Sequence, residues 1–373
     1  MYRALSSAGE LRGKRIIVRV DFNVPVKDGV VVDDFRIQAT LPTLQLLKKV
    51  GAQLVLISHI GDDGKDTLKP VADFLSKVFP VAFAQSINEA RIFLEEGKSV
   101  LLENIRRFDG EMSNDEAFSH ELSSLGNIYV NEAFSVSHRA HASIVGIPRF
   151  IPGYAGLRFD REMVELGKAL RPEHPFMFIL GGAKFETKLP LIEKFLRLAD
   201  SVFVGGALAN DVLRALHLPI GRSVVSEMTV SDAIINNQKF LKLLDVTVST
   251  SGGEKIIKDP KMVTSDDMIL DVGPKTISAL SQKIKESRMV LWNGPLGVYE
   301  KGFTEQTEAL AREIAESETF SIVGGGDTLA SIQKLNLMDR FGFVSTGGGA
   351  MLEFLLHGTL PGIEALERSL AAR

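Results

Sequence analysis

Basic side chains recur in the first half of the chain, each time directly after a run of apolar residues. The segments are Arg19-Val20-Asp21-Phe22-Asn23, Ser58-His59, Glu103-Asn104-Ile105-Arg106-Arg107 and Ser137-His138-Arg139-Ala140-His141. Arg36 adds a further cation at a predicted helix start. Arginine binds a carboxylate or a phosphate through two parallel hydrogen bonds. These residues therefore predict a site for a small anion that carries several charges.

Glycines occupy the corresponding positions in the second half. They stand in the segments Leu180-Gly181-Gly182-Ala183-Lys184, Val204-Gly205-Gly206, Trp292-Asn293-Gly294-Pro295, Val323-Gly324-Gly325-Gly326-Asp327-Thr328 and Ser345-Thr346-Gly347-Gly348-Gly349. Glycine lets backbone N–H groups approach a phosphate, and the N-terminus of a following helix adds its dipole. Lys184 and Lys188 can add positive charge, and Asp327 can hold Mg²⁺ together with nucleotide phosphates. This half predicts a nucleotide site.

Each of these patterns has an alternative interpretation. One Gly-Gly pair after a strand indicates only a tight turn, and the repetition of such turns favours phosphate binding. His59, His138 and His141 could suggest zinc, but no carboxylate ligands accompany them. The motifs GxxxxGK[ST] and GxGxxG, and the protein-kinase HRD and DFG motifs, are all absent from the sequence. The nucleotide site must therefore belong to another phosphoryl-transfer architecture.

The elements that position these residues alternate along the chain. Apolar, β-branched runs predict strands at 15–20, 53–57, 99–102, 128–131, 176–180, 201–204, 245–248, 289–292, 320–323 and 343–345. A rhythm of 3.6 residues predicts helices at 112–125, with a capping box that begins at Ser113, and at 231–244 and 304–317. This alternation indicates an α/β fold with parallel sheets, in which ligands bind at the carboxyl ends of the strands.

The length of 373 residues favours two sheets over one very large sheet. A break at 149–154 precedes the helical pattern at 160–170 and a second break at 171–175. We therefore predict a first domain at 1–152, a connecting helix at 153–171 and a second domain at 172–357. The tail at 358–373 is expected to pack back on the first domain.

Composition and charge exclude several classes of protein. Apolar residues make up 45% of the chain, and the net charge of −4 excludes a chain-wide basic surface for nucleic acid. The chain contains no cysteine, so it has no disulfide and no thiolate nucleophile. The first twenty residues lack a secretory h-region, and no run of eighteen apolar residues predicts a membrane span. We therefore expect a cytoplasmic enzyme.

Nine ordered segments across both halves identify a family. They are RVDFNVPV at 19–26, DDFRI at 33–37, SHIG at 58–61, LENIR at 102–106, HRAHAS at 138–143, GGAK at 181–184, WNGPLGVYE at 292–300, GGGDT at 324–328 and STGGGA at 345–350. With these segments the chain resembles the phosphoglycerate kinases over essentially its whole length. The resemblance implies two Rossmann-like three-layer domains joined by an interdomain helix and a hinge.

The resemblance also implies an activity and its residues. It implies reversible, glycolytic phosphoryl transfer from 1,3-bisphosphoglycerate to MgADP by a monomer, giving 3-phosphoglycerate and MgATP. The implied glycerate-binding residues are Asp21, Phe22, Asn23, Arg36, His59, Arg106, His138, Arg139 and His141. The implied nucleotide-binding residues are Gly182, Lys184, Lys188, Gly206, Asn293, Pro295, Glu300, Gly325, Gly326, Asp327 and Thr328, with Asp327 as the Mg²⁺ ligand. The implied catalytic residues are Arg36, Lys184, Gly325 and Gly348.

Three positions depart from the family pattern. Asp62-Asp63 stands where the family has Arg-Pro, Met351 replaces a usual serine, and residues 133–136 read AFSV where AFGT is common. A non-catalytic homologue that binds nucleotide thus stays an alternative, and an NAD-dependent dehydrogenase is a third. We expect an active enzyme whose Asp62 points away from the substrate, because five cationic or potentially cationic positions remain, including His59.

Overall fold

The first sheet is built around a short strand with an apolar centre. In the computed structural model, which describes residues 2–183 and 185–369, residues 16–18 of strand β1 (Arg15–Arg19) are completely buried. A strand that is apolar on both faces requires a layer of helices on each side of its sheet. The chain divides into two units, the first containing residues up to Val164 and from His357 onward, the second containing Glu165–Leu356.

The first unit contains a parallel sheet and a small hairpin. Its further strands are β2 (Val26–Lys27), β3 (Val30–Val31), β4 (Gln53–Ile57), β5 (Ala82–Ala84), β6 (Val100–Leu102), β7 (Ile128–Asn131) and β8 (Gly153–Ala155). The sheet has the order β5-β6-β4-β1-β7-β8, and β2 and β3 form the hairpin. The helices between these strands are α1 (Phe35–Lys49), α2 (Lys69–Leu75), α3 (Ile87–Glu95) and α4 (Glu116–Ser123). Helix α5 (Leu157–Leu170) continues into the second unit.

The second unit contains a parallel and an antiparallel sheet. Its strands are β9 (Phe176–Leu180), β10 (Ser201–Val204), β11 (Phe240–Leu241), β12 (Val246–Ser249), β13 (Lys255–Lys258), β14 (Met268–Val272), β15 (Met289–Asn293), β16 (Phe320–Gly324) and β17 (Phe343–Val344). The parallel order is β11-β10-β9-β15-β16-β17, and the antiparallel order is β13-β12-β14. The helices are α6 (Phe185–Leu198), α7 (Ala207–Ala215), α8 (Asp232–Ile235), α9 (Pro274–Glu286), α10 (Glu305–Ala315), α11 (Gly326–Lys334) and α12 (Gly349–His357).

The C-terminal segment belongs to the first unit. Helix α13 (Pro361–Arg368) packs near the loop that follows β7, where the backbone N–H of Gly362 donates to the carbonyl oxygen of Ser137 at 2.8 Å. Nη2 of Arg3 donates to Oγ of Ser369 at 2.7 Å. The two ends of the described chain are thus tied to the same unit. Within residues 2–183 and 185–369, no helix has the length and apolar character that a membrane span needs.

The α/β class and the two parallel sheets confirm the predicted fold, but some local predictions were wrong. The pattern at 231–244 forms only α8 and then β11, because Asn237 makes a turn in which its Oδ1 accepts from the N–H of Lys239 at 3.0 Å. Helix α4 is capped by Asp115, whose Oδ1 accepts from the N–H of Phe118, and not by Ser113. Strand β12, predicted at 245–248, pairs in the antiparallel sheet.

Candidate active site

Arg19, the last residue of β1, is the most deeply buried of the first unit's basic site residues. Its side chain is buried, and each nitrogen has a partner. Nε donates to Oγ of Ser143 at 3.0 Å, Nη1 donates to the carbonyl oxygen of Val20 at 2.5 Å, and Nη2 lies 3.2 Å from Nδ1 of His59. Burial lowers the pKa of the guanidinium, which nevertheless keeps its charge.

Glu111 is a buried carboxylate that is linked to Arg19 through the hydroxyl of Ser143. Its Oε1 accepts from Oγ of Ser143 at 2.6 Å, and its Oε2 accepts from the N–H of the same residue at 2.9 Å. Burial raises the pKa of Glu111, and the positive charge of Arg19 opposes that rise. His141 lies at the edge of this network, with Nδ1 3.8 Å from Oε1 of Glu111. Neither Glu111 nor Ser143 was among the predicted site residues.

Arginines surround His59 on several sides. Burial lowers the pKa of His59 well below its usual value, and the charges of Arg19, Arg106, Arg139 and Arg36 lower it further. Burial together with several of these charges also lowers the pKa of His141 to about 4. The structure therefore brings the predicted cations together. We call them the basic cluster: Arg19, Arg36, His59, Arg106, Arg139 and His141.

Asp21 orients one edge of the basic cluster. Its Oδ2 accepts from Nη1 of Arg36 at 2.8 Å and from Oγ of Ser135 at 2.5 Å. Arg36 stands in the first turn of α1 and keeps 32% of its side chain exposed, so it can still reach a ligand. The side chain of the predicted residue Phe22 is instead completely buried in the core, and its backbone N–H donates to Oγ of Ser58 at 2.9 Å.

Arg106 follows β6 and is held by the loop after β4. Its Nη1 donates to the carbonyl oxygen of Gly61 at 2.6 Å and to Oδ1 of Asp62 at 3.2 Å. The N–H of Gly61, in the same loop, donates to Oδ1 of the predicted residue Asn23 at 3.1 Å. Asp62 thus contacts one member of the predicted cations, while its side chain stays 95% exposed. Arg139 and His138 are both half-buried in the loop after β7.

In the second unit, the predicted nucleotide residues line a cavity of about 480 Å³. Helices α7, α11 and α12 begin at its wall, and the first turn of a helix has backbone N–H groups without acceptors inside the helix. Thr328 is fully buried and does not line the cavity, and the predicted residue Lys184 lies outside the described residues. The predicted residues that do line it are Gly182, Lys188, Gly206, Asn293, Pro295, Glu300, Gly325, Gly326, Asp327 and Gly348.

The wall of this cavity is made of main chain packed against main chain. Gly206 has a φ of +66°, and a Cβ there would lie 2.6 Å from the backbone nitrogen of Gly182. The N–H of Gly182 donates to the carbonyl oxygen of Pro295 at 3.0 Å, and the N–H of Gly206 donates to that of Leu296 at 2.9 Å. Only glycine allows both the left-handed backbone and this close approach.

Charged side chains stand at two places in the cavity. Nζ of Lys188 donates to the carbonyl oxygen of Gly181 at 2.8 Å, and burial lowers the pKa of this lysine to about 8. Burial raises the pKa of Asp327, and the negative charge of Glu300 raises it further. In the described part of the chain, no group of three His, Asp or Glu side chains could hold a metal ion. One carboxylate beside a phosphate-sized space nevertheless fits Mg²⁺ that arrives with a nucleotide.

A smaller, mostly apolar cavity of about 270 Å³ adjoins the first. The two share Ala183, Gly206, Ala207 and Val298 on their common wall. The rest of the smaller cavity includes residues 268–272 of β14, a strand that the sequence analysis missed. The apolar run Met-Ile-Leu at 268–270 was the available signal, but Asp271 interrupts it.

Met351, one of the departures from the family pattern, contacts the nucleotide cavity through Asn293. Nδ2 of Asn293 lies 3.6 Å from Sδ of Met351, which is completely buried. The thioether is a weak acceptor. Met351 thus contacts Asn293 without supplying a hydroxyl.

A cluster of cations and a glycine-lined cavity in one α/β chain are typical of a phosphotransferase. The phosphoglycerate kinase family profile matches residues 6–358. Phosphoglycerate kinase of Dictyoglomus turgidum is 42% identical over 384 positions, covering 96% of each chain, and that of a Thermus thermophilus strain is 42% identical over 380 positions, covering 95% of this chain and 97% of the relative. The chain therefore belongs to the phosphoglycerate kinase family.

Solved structures agree with this assignment. Phosphoglycerate kinase of Coxiella burnetii superposes with a TM-score of 0.83 at 34% identity, covering 99% of both chains. That of Pyrococcus horikoshii superposes with a TM-score of 0.86 at 30% identity, covering 98% of both chains. The protein is an enzyme that transfers a phosphoryl group between 1,3-bisphosphoglycerate and ADP in glycolysis. Family membership decides against the dehydrogenase alternative.

Proposed function

We propose that the basic cluster binds the glycerate substrate and that the glycine-lined cavity binds MgADP or MgATP. The observation that carries the proposal is the convergence of Arg19, Arg36, Arg106 and Arg139 around His59. Such a concentration of positive charge is unfavourable without an anion that carries several charges. The test is ATP formation from 1,3-bisphosphoglycerate and MgADP by the purified chain. If this chain forms no ATP while a family relative, assayed as the positive control, does form ATP, the proposal is contradicted.

In the direction that consumes ATP, a carboxylate oxygen of 3-phosphoglycerate attacks the γ-phosphorus of ATP. A new C(O)O–P bond forms while the bond between the γ-phosphorus and the β,γ-bridging oxygen breaks, and ADP leaves with the electron pair. No enzyme nucleophile is needed, since the protein's task is to align the two ligands and to stabilise the charge of the transferring group. We assign this stabilisation to Arg36, Lys184 and the backbone N–H groups at Gly325 and Gly348.

Lys184 has the sharpest proposed role. It follows a Gly-Gly turn and stands directly before α6 (Phe185–Leu198) in the sequence. Loss of one preorganised electrostatic partner reduces turnover by roughly 10²–10³, and we expect that loss for Lys184→Ala with little change in glycerate affinity. A change in nucleotide affinity alone would contradict the proposed role.

The remaining nucleotide contacts follow from the two adjoining cavities. We assign the ribose to Glu300, the phosphates to Lys188, Gly325, Gly326 and the region of Thr328, and the base to the smaller apolar cavity. Asp327 would hold Mg²⁺, which neutralises phosphate charge when it is bound. The absence of any Mg²⁺ requirement for ATP binding, measured by calorimetry with and without EDTA, would contradict the role of Asp327.

The proposed assignment gives each unit one ligand. Residues 1–152 with the tail at 358–373 would bind the glycerate, and 172–357 the nucleotide, so the reaction requires the two ligands to approach each other. We propose that the connecting segment at 153–171, which includes α5, acts as a hinge. A distance between spin labels on the two units that does not change when both substrates bind would contradict this proposal.

The proposed sites need residues of one chain only, which supports a monomer. The place of the family in glycolysis supports a cytoplasmic location, and the proposed ligands are small molecules. Sedimentation equilibrium tests the first proposal and cell fractionation tests the second. A stable dimer, or a protein recovered with the membranes, would contradict them.

A further inference from the structure

His59 contacts Arg19 through a ring nitrogen that must be unprotonated. Nη2 of Arg19 lies 3.2 Å from Nδ1 of His59. A guanidinium has five N–H donors and no acceptor, so the imidazole nitrogen in this contact has to accept. The ring proton is then on Nε2. Because Nδ1 is occupied by Arg19, Nε2 is the nitrogen left for a ligand.

The position of Arg19 is determined by a buried hydroxyl. Ser143 accepts from Nε of Arg19 at 3.0 Å and donates to Oε1 of Glu111 at 2.6 Å. The N–H of Ser143 donates to the other oxygen of the same carboxylate at 2.9 Å. Ser143 and Glu111 are both completely buried. The chain Glu111–Ser143–Arg19 therefore fixes which way the guanidinium presents Nη2.

The surrounding charges keep His59 neutral. Four arginines act on the ring: Arg19 from β1, Arg36 from α1, Arg106 from the loop after β6, and Arg139 from the loop after β7. Three carboxylates face the same network: Asp21 accepts from Arg36, Glu111 accepts from Ser143, and Asp62 accepts from Arg106. Burial and the four positive charges hold the pKa of His59 well below its usual value.

We propose that Ser143 and Glu111 are positioning residues for the glycerate site: by holding Arg19 against Nδ1 of His59, they fix this histidine as a neutral ring that donates from Nε2. The proposal rests on the assignment of the basic cluster to the glycerate substrate. It adds that His59 contributes an N–H donor of one fixed tautomer, and not a positive charge.

The first test uses the wild-type protein. Long-range ¹H–¹⁵N spectra distinguish protonated from unprotonated ring nitrogens, and His59→Gln assigns the signals. We expect Nδ1 to be unprotonated and Nε2 protonated throughout the range from about pH 5.5 to about pH 8. A protonated Nδ1, a mixture of the two tautomers, or protonation of His59 within this range would overturn the proposal.

The second test uses Ser143→Ala, which removes the hydroxyl and changes no charge. We expect the Kd for 3-phosphoglycerate to rise by about threefold to tenfold, the range for the net contribution of one typical hydrogen bond, and the His59 signals to show both tautomers. The matched control is Ser119→Ala, which removes another buried hydroxyl, one that donates to the carbonyl oxygen of Asp115 at 2.7 Å. This control should change neither the Kd nor the spectrum.

A double variant separates positioning from a general loss of structure. If Ser143 acts through His59, then Ser143→Ala causes no further loss of affinity in a His59→Ala background. Independent losses in the two variants would overturn the proposal. If Ser143→Ala does not fold, the wild-type spectrum decides. A wild-type protein that does not bind 3-phosphoglycerate contradicts the proposed function, whereas wild-type binding with an unaffected Ser143→Ala contradicts only this inference.

Discussion

Asp62 and Arg106 form an ion pair whose two members differ completely in exposure. The carboxylate oxygen lies 3.2 Å from Nη1 of the guanidinium, yet the Asp62 side chain is 95% exposed and the Arg106 side chain only 2%. A buried guanidinium cannot follow its partner into solvent, whereas the exposed carboxylate can turn away. An anionic ligand that uses this nitrogen therefore competes with Asp62.

We predict that Asp62→Asn strengthens 3-phosphoglycerate binding by about 1.5-fold to fivefold, the range of an exposed ion pair. The gain should decrease as salt is added, because exposed charges are screened. Calorimetric titration at two ionic strengths measures both effects. The control is Asp63→Asn, because Asp63 pairs with Lys65 at 2.6 Å and should not compete for Arg106. A gain near a hundredfold would mean that Asp62 disables the wild-type site.

The affinity for ADP should depend on the protonation of Lys188. Burial lowers the pKa of this lysine to about 8, so the amine loses its charge as the pH rises through that value. We expect the affinity to fall by about tenfold between about pH 7 and about pH 9.5, and Lys188→Met to remove this dependence. Lys194→Met, in the same helix but outside the cavity, should keep it. The same pH dependence in all three proteins would refute the prediction.

Glu132 should make the first unit less stable as the pH rises. Its Oε1 accepts from Oγ of Thr43 and from the N–H of Arg158, and in the described part of the chain its Oε2 has no partner. Burial raises the pKa from 4.5 to about 7, so the folded state holds the proton more tightly than the unfolded state. The contribution of the protonated Glu132 to stability is therefore fully present below about pH 4.5 and is lost as the pH rises through about 7.

We predict that Glu132→Gln, which imitates the protonated acid, raises the free energy of unfolding by about 1–3 kcal/mol at about pH 8.5. At about pH 5 the variant and the wild type should be nearly equal. Urea unfolding at both pH values measures the difference. A variant that is less stable than the wild type at the higher pH would show that the ionised carboxylate is well solvated or paired.

The stability losses caused by substitutions at Gly324 and at Met351 should not be additive. A Cβ at Gly324 would lie 2.3 Å from Sδ of the buried Met351. Gly324→Ala should therefore cost about 1–3 kcal/mol of stability. Its combination with Met351→Ala should lose less than the sum of the two separate losses. Thermal unfolding measures the cycle, with Gly167→Ala as control, since a Cβ there meets nothing within 4 Å. Additive losses would argue against the contact.

The sequence predicted the parallel sheets because their strands are short, apolar and regularly spaced. Strand β1 and strand β15 are apolar on both faces, which period and composition reveal directly. The antiparallel sheet was missed because β13 has only two apolar residues between two lysines and carries exposed positions, and because β14 contains Asp271. The apolar cavity that adjoins the nucleotide cavity depends on β14, so it was missed as well.

The basic cluster was predictable because arginine and histidine at strand ends are unusual residues. Its supports were not, since Glu111 and Ser143 act through burial and contacts between distant segments. A buried carboxylate such as Glu111 looks like any surface glutamate in the sequence. The contact of Asp62 with Arg106 was also unpredictable, because loop length alone does not determine where a short side chain points.

The close approach of Gly206 to Gly182 has a consequence for how this enzyme can diverge. Where main chain forms the wall of a pocket, most substitutions nearby leave the backbone hydrogen-bonding groups in place. A substitution that adds a Cβ at Gly206 instead prevents the close approach of the two backbones. The basic cluster instead consists of side chains, each of which can be exchanged alone. Laboratory evolution toward another carboxylate acceptor should therefore proceed by single steps in the first unit, while the donor specificity is inherited unchanged.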